Sequence, residues 1–432
     1  MARFIYTLAV LALLPWAILH LLWRARRQPE YLRHWGERFG HFSCPRSGNP
    51  SMQSTASTTD STRPTIWLHA VSVGETRAAQ PLVLALRERY PGHRILFTHM
   101  TPTGRATSEA LFGDSVDRIY LPYDTPWAMK RFVRHFRPQF GLIMETELWP
   151  NLIAACRQAN VPLRLVNARL SERSAQRYAK FPALTREALR SLTAIGAQSA
   201  EDAARLQALG AHNVTVTGNI KFDIAIPDEQ LVLGHKLRVR YRSRLVWLAA
   251  STREGEEALI LDSWKKVGSD DTALLVLVPR HPQRFDQVTR LATERGFAVE
   301  RRSDDSAIAA STQVLIGDSM GEMFAFYASA DIAFVGGSLL DFGSQNLIEA
   351  AACSTPILIG PSTRNFAEAA REAVACGAAS AIHDADDLVA QVNSLLSDVD
   401  RRQQMGAAGR AFAKRHRGAT ARTLELISRV VN

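Results

Sequence analysis

Trp67-Leu-His-Ala-Val-Ser-Val-Gly-Glu-Thr-Arg77 runs from an apolar strand through a small-residue turn and delivers a carboxylate, Glu75, to the mouth of a helix. Thr65 to Val71 has strand character. Ala78 to Tyr90 carries Pro81, Leu82, Leu84, Ala85 and Leu86, a spacing that predicts a helix packed on a sheet, with Gly74 marking the turn. A glutamate at a helix start gains about 0.3–1 kcal/mol from the macrodipole, which alone would account for it and would hold its pKa down. A carboxylate is also a residue type that serves as a general base.

Outward from this unit, short apolar runs alternate with helical segments. Arg94 to His99, Val116 to Leu121, Gly141 to Met144, Leu163 to Asn167, Ala194 to Gln198 and Val214 to Thr217 read as strands. After a cluster of Gly, Asn, Asp and Pro near Gly218 to Pro227 comes a polar helical stretch to Arg244, then strands near Leu245 to Ala249, Ala273 to Val278, Gln313 to Ile316, Ile332 to Val335 and Pro356 to Ile359. That alternation predicts two α/β domains, each a parallel sheet covered on both faces, with ligands gathering beyond the strand carboxyl ends and in a cleft between domains. The boundaries follow: an anchor over 1–25, a first domain over 26–222 and a second over 223–432, whose basic end from Gly406 reads as a closing helix.

A length of 432 residues exceeds the roughly 250–300 at which one core stops growing. Composition is ordinary for a globular chain, at 46% apolar and 22% charged. Cys44, Cys156, Cys353 and Cys376 are scattered, which suggests neither a disulfide framework nor a zinc site and fits a reducing compartment. The net charge of +10 is uneven: residues 1–180 hold 24 Lys plus Arg against 12 Asp plus Glu, and the remainder holds 28 against 30. Such a bias suits an anionic surface, an acidic ligand or nucleic acid. Phe4 to Trp23 tilts the choice to membrane, because this run of 20 residues carries no charge and is followed by Arg24, Arg26, Arg27 and Arg33. No nucleic-acid partner is expected. Heavier positive charge after the run, and no small-residue cleavage site, favour an uncleaved anchor with the following domain on the cytoplasmic side; whether it spans or lies in one leaflet stays open. Residues 43–64, rich in Ser and Thr, read as a flexible insertion.

Polar residues recur at strand ends: Glu75; Thr101 and Thr103; Glu145 and Glu147; Arg169 and Ser171. Each alone would be explained as a cap or turn former, and their shared position argues for a site. The second half offers a phosphate-binding set in Ala250 to Glu257, Pro-Arg-His-Pro at 279–282, Gly-Asp-Ser-Met-Gly-Glu-Met at 317–323 and Gly336-Gly337-Ser338. There is no Walker lysine pattern and no well-placed dinucleotide fingerprint, so ATPase and NAD readings are weak; with no metal-ligand spacing either, no metal and no cofactor are expected.

Together these strings resemble the 3-deoxy-D-manno-octulosonic acid (Kdo) transferases of Gram-negative lipopolysaccharide synthesis, over most of the chain. The strings are His-Ala-Val-Ser-Val-Gly-Glu at 69–75, Glu-Thr-Glu-Leu-Trp-Pro-Asn at 145–151, Asn-Ala-Arg-Leu-Ser at 167–171, Gly-Asn-Ile-Lys-Phe-Asp at 218–223, Pro-Arg-His-Pro at 279–282, Gly-Asp-Ser-Met-Gly-Glu at 317–322 and Asn346 to Glu349. The resemblance implies a GT-B glycosyltransferase of two Rossmann-like domains facing a central cleft, with a membrane anchor. It implies CMP-Kdo as donor, a lipid A precursor (lipid IVA) as acceptor, and inverting chemistry at the cytoplasmic face of the cell inner membrane. By the same likeness Glu75 is the base and Glu147 an essential carboxylate. Arg280, His281, Gly317, Ser319, Met320, Gly321, Glu322, Asn346 and Glu349 then form the CMP-Kdo site, with Arg280 and Asn346 toward the phosphate, Met320 by the cytosine and Glu349 on the ribose. Ser344-Gln345, Leu347, Ala350, Ser362, Arg364 and Arg253 depart from the commoner family pattern. Other readings stay open on the residues alone: a UDP-GlcNAc epimerase or lipid-disaccharide synthase type of enzyme, or an anchored non-catalytic binding protein.

Overall fold

Strands that are apolar along their whole length need cover on both faces, and the chain provides it twice. The computed structural model describes residues 1–26, 28–42, 63–223, 226–267, 273–305 and 307–428. Among the described residues there are two parallel sheets of seven strands each.

The first unit contains β1 Thr65–His69, β2 Arg94–His99, β3 Asp117–Tyr120, β4 Pro138–Met144, β5 Leu163–Ala168, β6 Ala194–Ala197 and β7 Val214–Val216. They pair in the order β3-β2-β1-β4-β5-β6-β7, with Trp67 flanked by Leu96 and Gly141. The period of two divides their side chains between two cores. Trp67, Leu96, Ile143 and Leu165 pack with Phe132, Leu152 and Leu189 on one face. Ile66, Leu68, Phe97, Leu142 and Val166 pack with Leu82, Leu86 and Ile427 on the other. Several covering helices begin with proline in the first turn (Pro81, Pro102, Pro126 and Pro150), where its missing N–H costs nothing.

The second unit contains β8 Val246–Thr252, β9 Leu274–Pro279, β10 Val299–Arg301, β11 Val314–Ile316, β12 Ile332–Val335, β13 Ile357–Ile359 and β14 Ala379–Ala381, ordered β10-β11-β9-β8-β12-β13-β14. Its central strands carry the core of Trp247, Leu275, Leu277, Ile316 and Phe334, packed with Trp264. The edge strands β10 and β14 escaped the sequence reading. Each is three residues long, and neither is an apolar run.

The expected division at residue 223 needs one correction. The units comprise Met1–Asp223 with Arg417–Asn432, and Ile224–His416, so the last helix, Ala419–Ser428, returns to the first sheet. Its Ile427 enters the second core of that unit while the buried Arg164 donates from Nη2 to the Ile427 carbonyl at 3.1 Å. Arg422 Nε donates to the Thr217 carbonyl at 2.8 Å, and the Asp223 carboxylate accepts N–H groups of Gly418 and Thr420.

At the other end, helix Ala2–Ala25 is long and apolar enough to cross a membrane by length and composition. The expected insertion at 43–64 lies, apart from Arg63 and Pro64, outside the described residues.

Gly141 has no room for a side chain: a Cβ there would meet the Trp67 ring at 2.5 Å and Leu163 Cδ1 at 2.7 Å, both in the core. Gly141→Ala is therefore expected to cost about 1–3 kcal/mol in urea unfolding. Gly92→Ala, with nothing within 4 Å of the added Cβ, is expected to leave the midpoint unchanged.

Candidate active site

The strand order of the first sheet reverses between β1 and β4, which makes the space beyond their carboxyl ends the place where an open α/β sheet receives a ligand. Three half-buried carboxylates stand there: Glu75 after β1, and Glu145 and Glu147 after β4.

Glu75 differs from expectation in position and in charge. The helix begins earlier than predicted, at Val73 with Ser72 as N-cap, so Gly74 is helical and Glu75 is the third helical residue. Ser72 Oγ accepts from the Glu75 N–H at 3.4 Å and donates to Glu75 Oε1 at 3.0 Å, while the Val71 N–H donates to Glu75 Oε2 at 2.8 Å. This is a relative of the capping box displaced by one residue. Those bonds favour the anion, yet burial outweighs them. Desolvation, aided by the negative charge of Glu145 and Glu147, pushes Glu75 up to about 7 rather than down. Burial and Glu145 also raise Glu147, with the neighbouring Trp149 opposing them.

The surroundings hold this group in place. Lys221 Nζ lies 3.3 Å from Glu145 Oε1. Its segment is fixed by the buried Asn167, whose Oδ1 accepts the Ile220 N–H at 3.0 Å. Glu145 and Asn167 both adopt positive φ, at 55° and 53°, which turns the chain sharply at two strand ends. Beneath lie two buried histidines. His69 Nδ1 is 2.8 Å from Thr98 Oγ1 and His99 Nδ1 is 3.1 Å from the Ala70 carbonyl. Burial lowers them to about 4 and about 3, so both are neutral at pH 7 and support the floor without adding charge. Thr101 and Ser171 turn out to be helix N-caps, bonded to the N–H groups of Gly104 and Ser174 at 3.1 and 3.3 Å.

In the second unit the expected donor residues fall into small groups at strand ends. Arg280, after β9, donates from Nε to Gln345 Oε1 at 3.2 Å, beside Asn346. Asn346 caps the helix Leu347–Ala352 through the Ile348 N–H at 3.1 Å and donates from Nδ2 to Glu349 Oε1 at 3.1 Å. Exposed His281 has its Nε2 3.2 Å from Arg253 Nη1, and burial together with the cations of Arg253, Arg280 and Arg284 lowers its pKa. Ser319 Oγ donates to Glu322 Oε2 at 2.6 Å, and Arg302 Nε lies 3.2 Å from that carboxylate. Met320 is exposed, Gly321 turns at φ +83°, and Gly317 is pressed against Val278, which a Cβ would meet at 2.6 Å. Among the described residues no group of three or more His, Cys, Asp or Glu could hold a metal.

Several positions where the chain departs from the family pattern are bonded to residues around the expected donor site. Gln345 holds Arg280, Arg253 approaches His281, Arg364 pairs with Asp341, and Ser362 Oγ accepts the Gly343 N–H at 3.0 Å. Glu256 and Glu257, which close the expected phosphate-binding string Ala250 to Glu257, had no individual role assigned from sequence. Both are fully buried. Glu256 accepts the N–H groups of Arg253, Gly337 and Leu339 at 2.8, 2.7 and 3.0 Å, and Glu257 takes a two-point bond from Arg284 at 2.6 and 3.0 Å. The available signal was a Glu pair in the first turn of the helix that follows β8.

Comparison with known proteins gives the following. A family model described as 3-Deoxy-D-manno-octulosonic-acid transferase (kdotransferase) matches residues 33–224, and one described as Glycosyl transferases group 1 matches residues 294–412. The chain is 44% identical over 437 residues to the 3-deoxy-D-manno-octulosonic acid transferase of Bordetella pertussis, covering 99% of each. It is 39% identical over 432 residues to that of Haemophilus influenzae, covering 99% of this chain and 98% of the relative. A glycosyltransferase from Rickettsia africae shares the fold, with TM-score 0.58 at 13% identity over 86% of this chain and 99% of that one.

The raised pKa of Glu75 has a consequence for stability. The folded state favours the protonated carboxyl, so this group's contribution is fully present below its ordinary value of 4.5 and is lost as pH rises through about 7. Glu75→Gln, which cannot ionise, should match the parent near pH 4.5 and exceed it above pH 7 by on the order of 1–3 kcal/mol in chemical unfolding.

Proposed function

The chain belongs to the 3-deoxy-D-manno-octulosonic acid transferase family and is a glycosyltransferase, and from that premise we propose that it moves Kdo from CMP-Kdo to a hydroxyl of lipid IVA at the cytoplasmic face of the inner membrane. Family membership sets aside the epimerase, disaccharide-synthase and binding-protein readings. The observation that carries the mechanism is the environment of Glu75: a half-buried carboxylate at the switch point of the first sheet, raised to about 7 by desolvation.

A general base works best when its pKa lies near the working pH, because it is then both largely ionised and able to take a proton. Each oxygen of Glu75 accepts one hydrogen bond, from Val71 N–H and from Ser72 Oγ, and a carboxylate oxygen has a further lone pair for a sugar hydroxyl. In the proposed single displacement that hydroxyl attacks the anomeric carbon of Kdo as its proton passes to Glu75. The glycosidic C–O bond forms on one face while the bond to the CMP phosphate breaks on the other, inverting the centre. Glu147, with Glu145 held by Lys221, keeps the acceptor side polar and sustains the raised pKa of Glu75. In the second unit Arg280, steadied by Gln345, carries negative charge on the departing phosphate, and Asn346 and Glu349 bind the nucleotide. No metal is assigned a step.

For wild type we expect kcat/KM to fall tenfold per pH unit below about 7, since protonated Glu75 cannot act as base. Glu75→Gln should lose about 10²–10⁴-fold in transfer of radiolabelled Kdo to lipid IVA while binding CMP as before; near-normal transfer would remove Glu75 from this role. Arg280→Ala should weaken CMP binding about tenfold or more, with Arg280→Lys recovering only part of it.

A further inference from the structure

Helix Ala2–Ala25 is fastened to the first unit near both of its ends. Close to its start, Tyr6 Oη donates to Asp124 Oδ2 at 3.0 Å and Thr7 Oγ1 donates to Asn151 Oδ1 at 3.1 Å. Asp124 is buried and accepts the main-chain N–H groups of Asn151 and Leu152 at 3.0 and 2.8 Å, so it belongs to the framework that starts helix Pro150–Gln158. Arg3 lies 4.0 Å from Glu187 on helix Pro182–Arg190. Close to its end, Leu21 and Ala25 pack with Tyr31 and Trp35. From Thr7 to Leu21 is roughly 21 Å along a helix, and Leu14 and Ile18 between them are half-buried on the same stripe.

The opposite stripe is apolar and uncovered. Phe4, Leu8, Trp16, Leu19 and Trp23 are each more than half exposed. The His20 ring stacks between Trp16 and Trp23 at 5.3 and 5.9 Å, the kind of amphipathic aromatic row that settles at headgroup level. Arg24 and Arg26 are exposed at the end of the helix, and residues 1–180 carry 24 basic side chains against 12 acidic ones, which complements an anionic leaflet.

We infer that this helix lies in the plane of the membrane, with one stripe seated on the first unit and the other in a single leaflet of anionic lipid, and does not span. Spanning needs about 30 Å of hydrocarbon to separate the two helix ends. That would carry Tyr6 and Thr7 away from Asp124 and Asn151 while Leu21 and Ala25 stayed with the domain. An in-plane helix keeps every one of these contacts and still buries its outward face about 5–10 Å into the leaflet. The inference rests on the membrane reading given above and fixes what that reading left open.

The test uses the full chain with Cys44, Cys353 and Cys376 changed to serine and Ala2→Cys added, bound to preformed sealed vesicles of phosphatidylethanolamine and phosphatidylglycerol. A membrane-impermeant maleimide should label position 2 as completely before detergent as after it, because an in-plane helix keeps its start on the same side as the catalytic units. Thr7→Cys with Asn151→Cys should form a disulfide under mild oxidation on the same vesicles. Label protected until detergent is added, with no disulfide, would mean a spanning helix and overturn the inference. Protein that stays out of the vesicle pellet would instead overturn the membrane reading beneath it, and sedimentation of that soluble chain as a dimer would assign the apolar stripe to a second copy.

Discussion

Desolvation of Glu75 outweighs the two hydrogen bonds that oppose it, and the chemistry proposed for the chain depends on that balance. An exposed capping glutamate would remain ionised and be a poor proton acceptor at neutral pH. One buried without hydrogen bonds would stay protonated and be no acceptor at all. The Ser72 cap and the Val71 N–H provide enough stabilisation of the anion to place the group between these limits, while Glu145 and Glu147 add charge that Lys221 partly offsets.

The second sheet provides a control within the same chain. Its strand order reverses between β8 and β12, and the carboxylate standing there, Glu256, is also raised by burial. Glu256 is fully buried, however, and its oxygens are occupied by the N–H groups of Arg253, Gly337 and Leu339, which shape the Gly336-Gly337-Ser338 turn. Two carboxylates at matching places in two sheets thus do different work. One is bonded into the backbone to set a loop, and the other, half-buried with one hydrogen bond on each oxygen, keeps lone pairs for the proposed proton transfer.

Much of this was legible in the sequence because central strands of a parallel sheet are apolar throughout, and the turns that follow them concentrate polar residues. The edge strands Val299–Arg301 and Ala379–Ala381 were not, since an edge needs little burial and leaves no apolar run. Nor was the return of helix Ala419–Ser428 to the first sheet: an amphipathic pattern says that a helix packs, without saying on which of two sheets. Glu75 was visible by position. Its pKa was not, because it depends on groups 70 and more residues away, at Glu145 and Glu147, whose distance from Glu75 only the fold determines. For the same reason Gln345 beside Arg280 was seen as a departure from a pattern and not as its partner.

The proposed chemistry depends on the ionisation of one side chain, and infrared difference spectroscopy of the parent against Glu75→Gln reads it directly. The carboxyl signal present in the parent and missing from the variant should titrate with a midpoint near 7. A midpoint at the ordinary 4.5 would show Glu75 to be a solvated helix cap and would contradict the central claim.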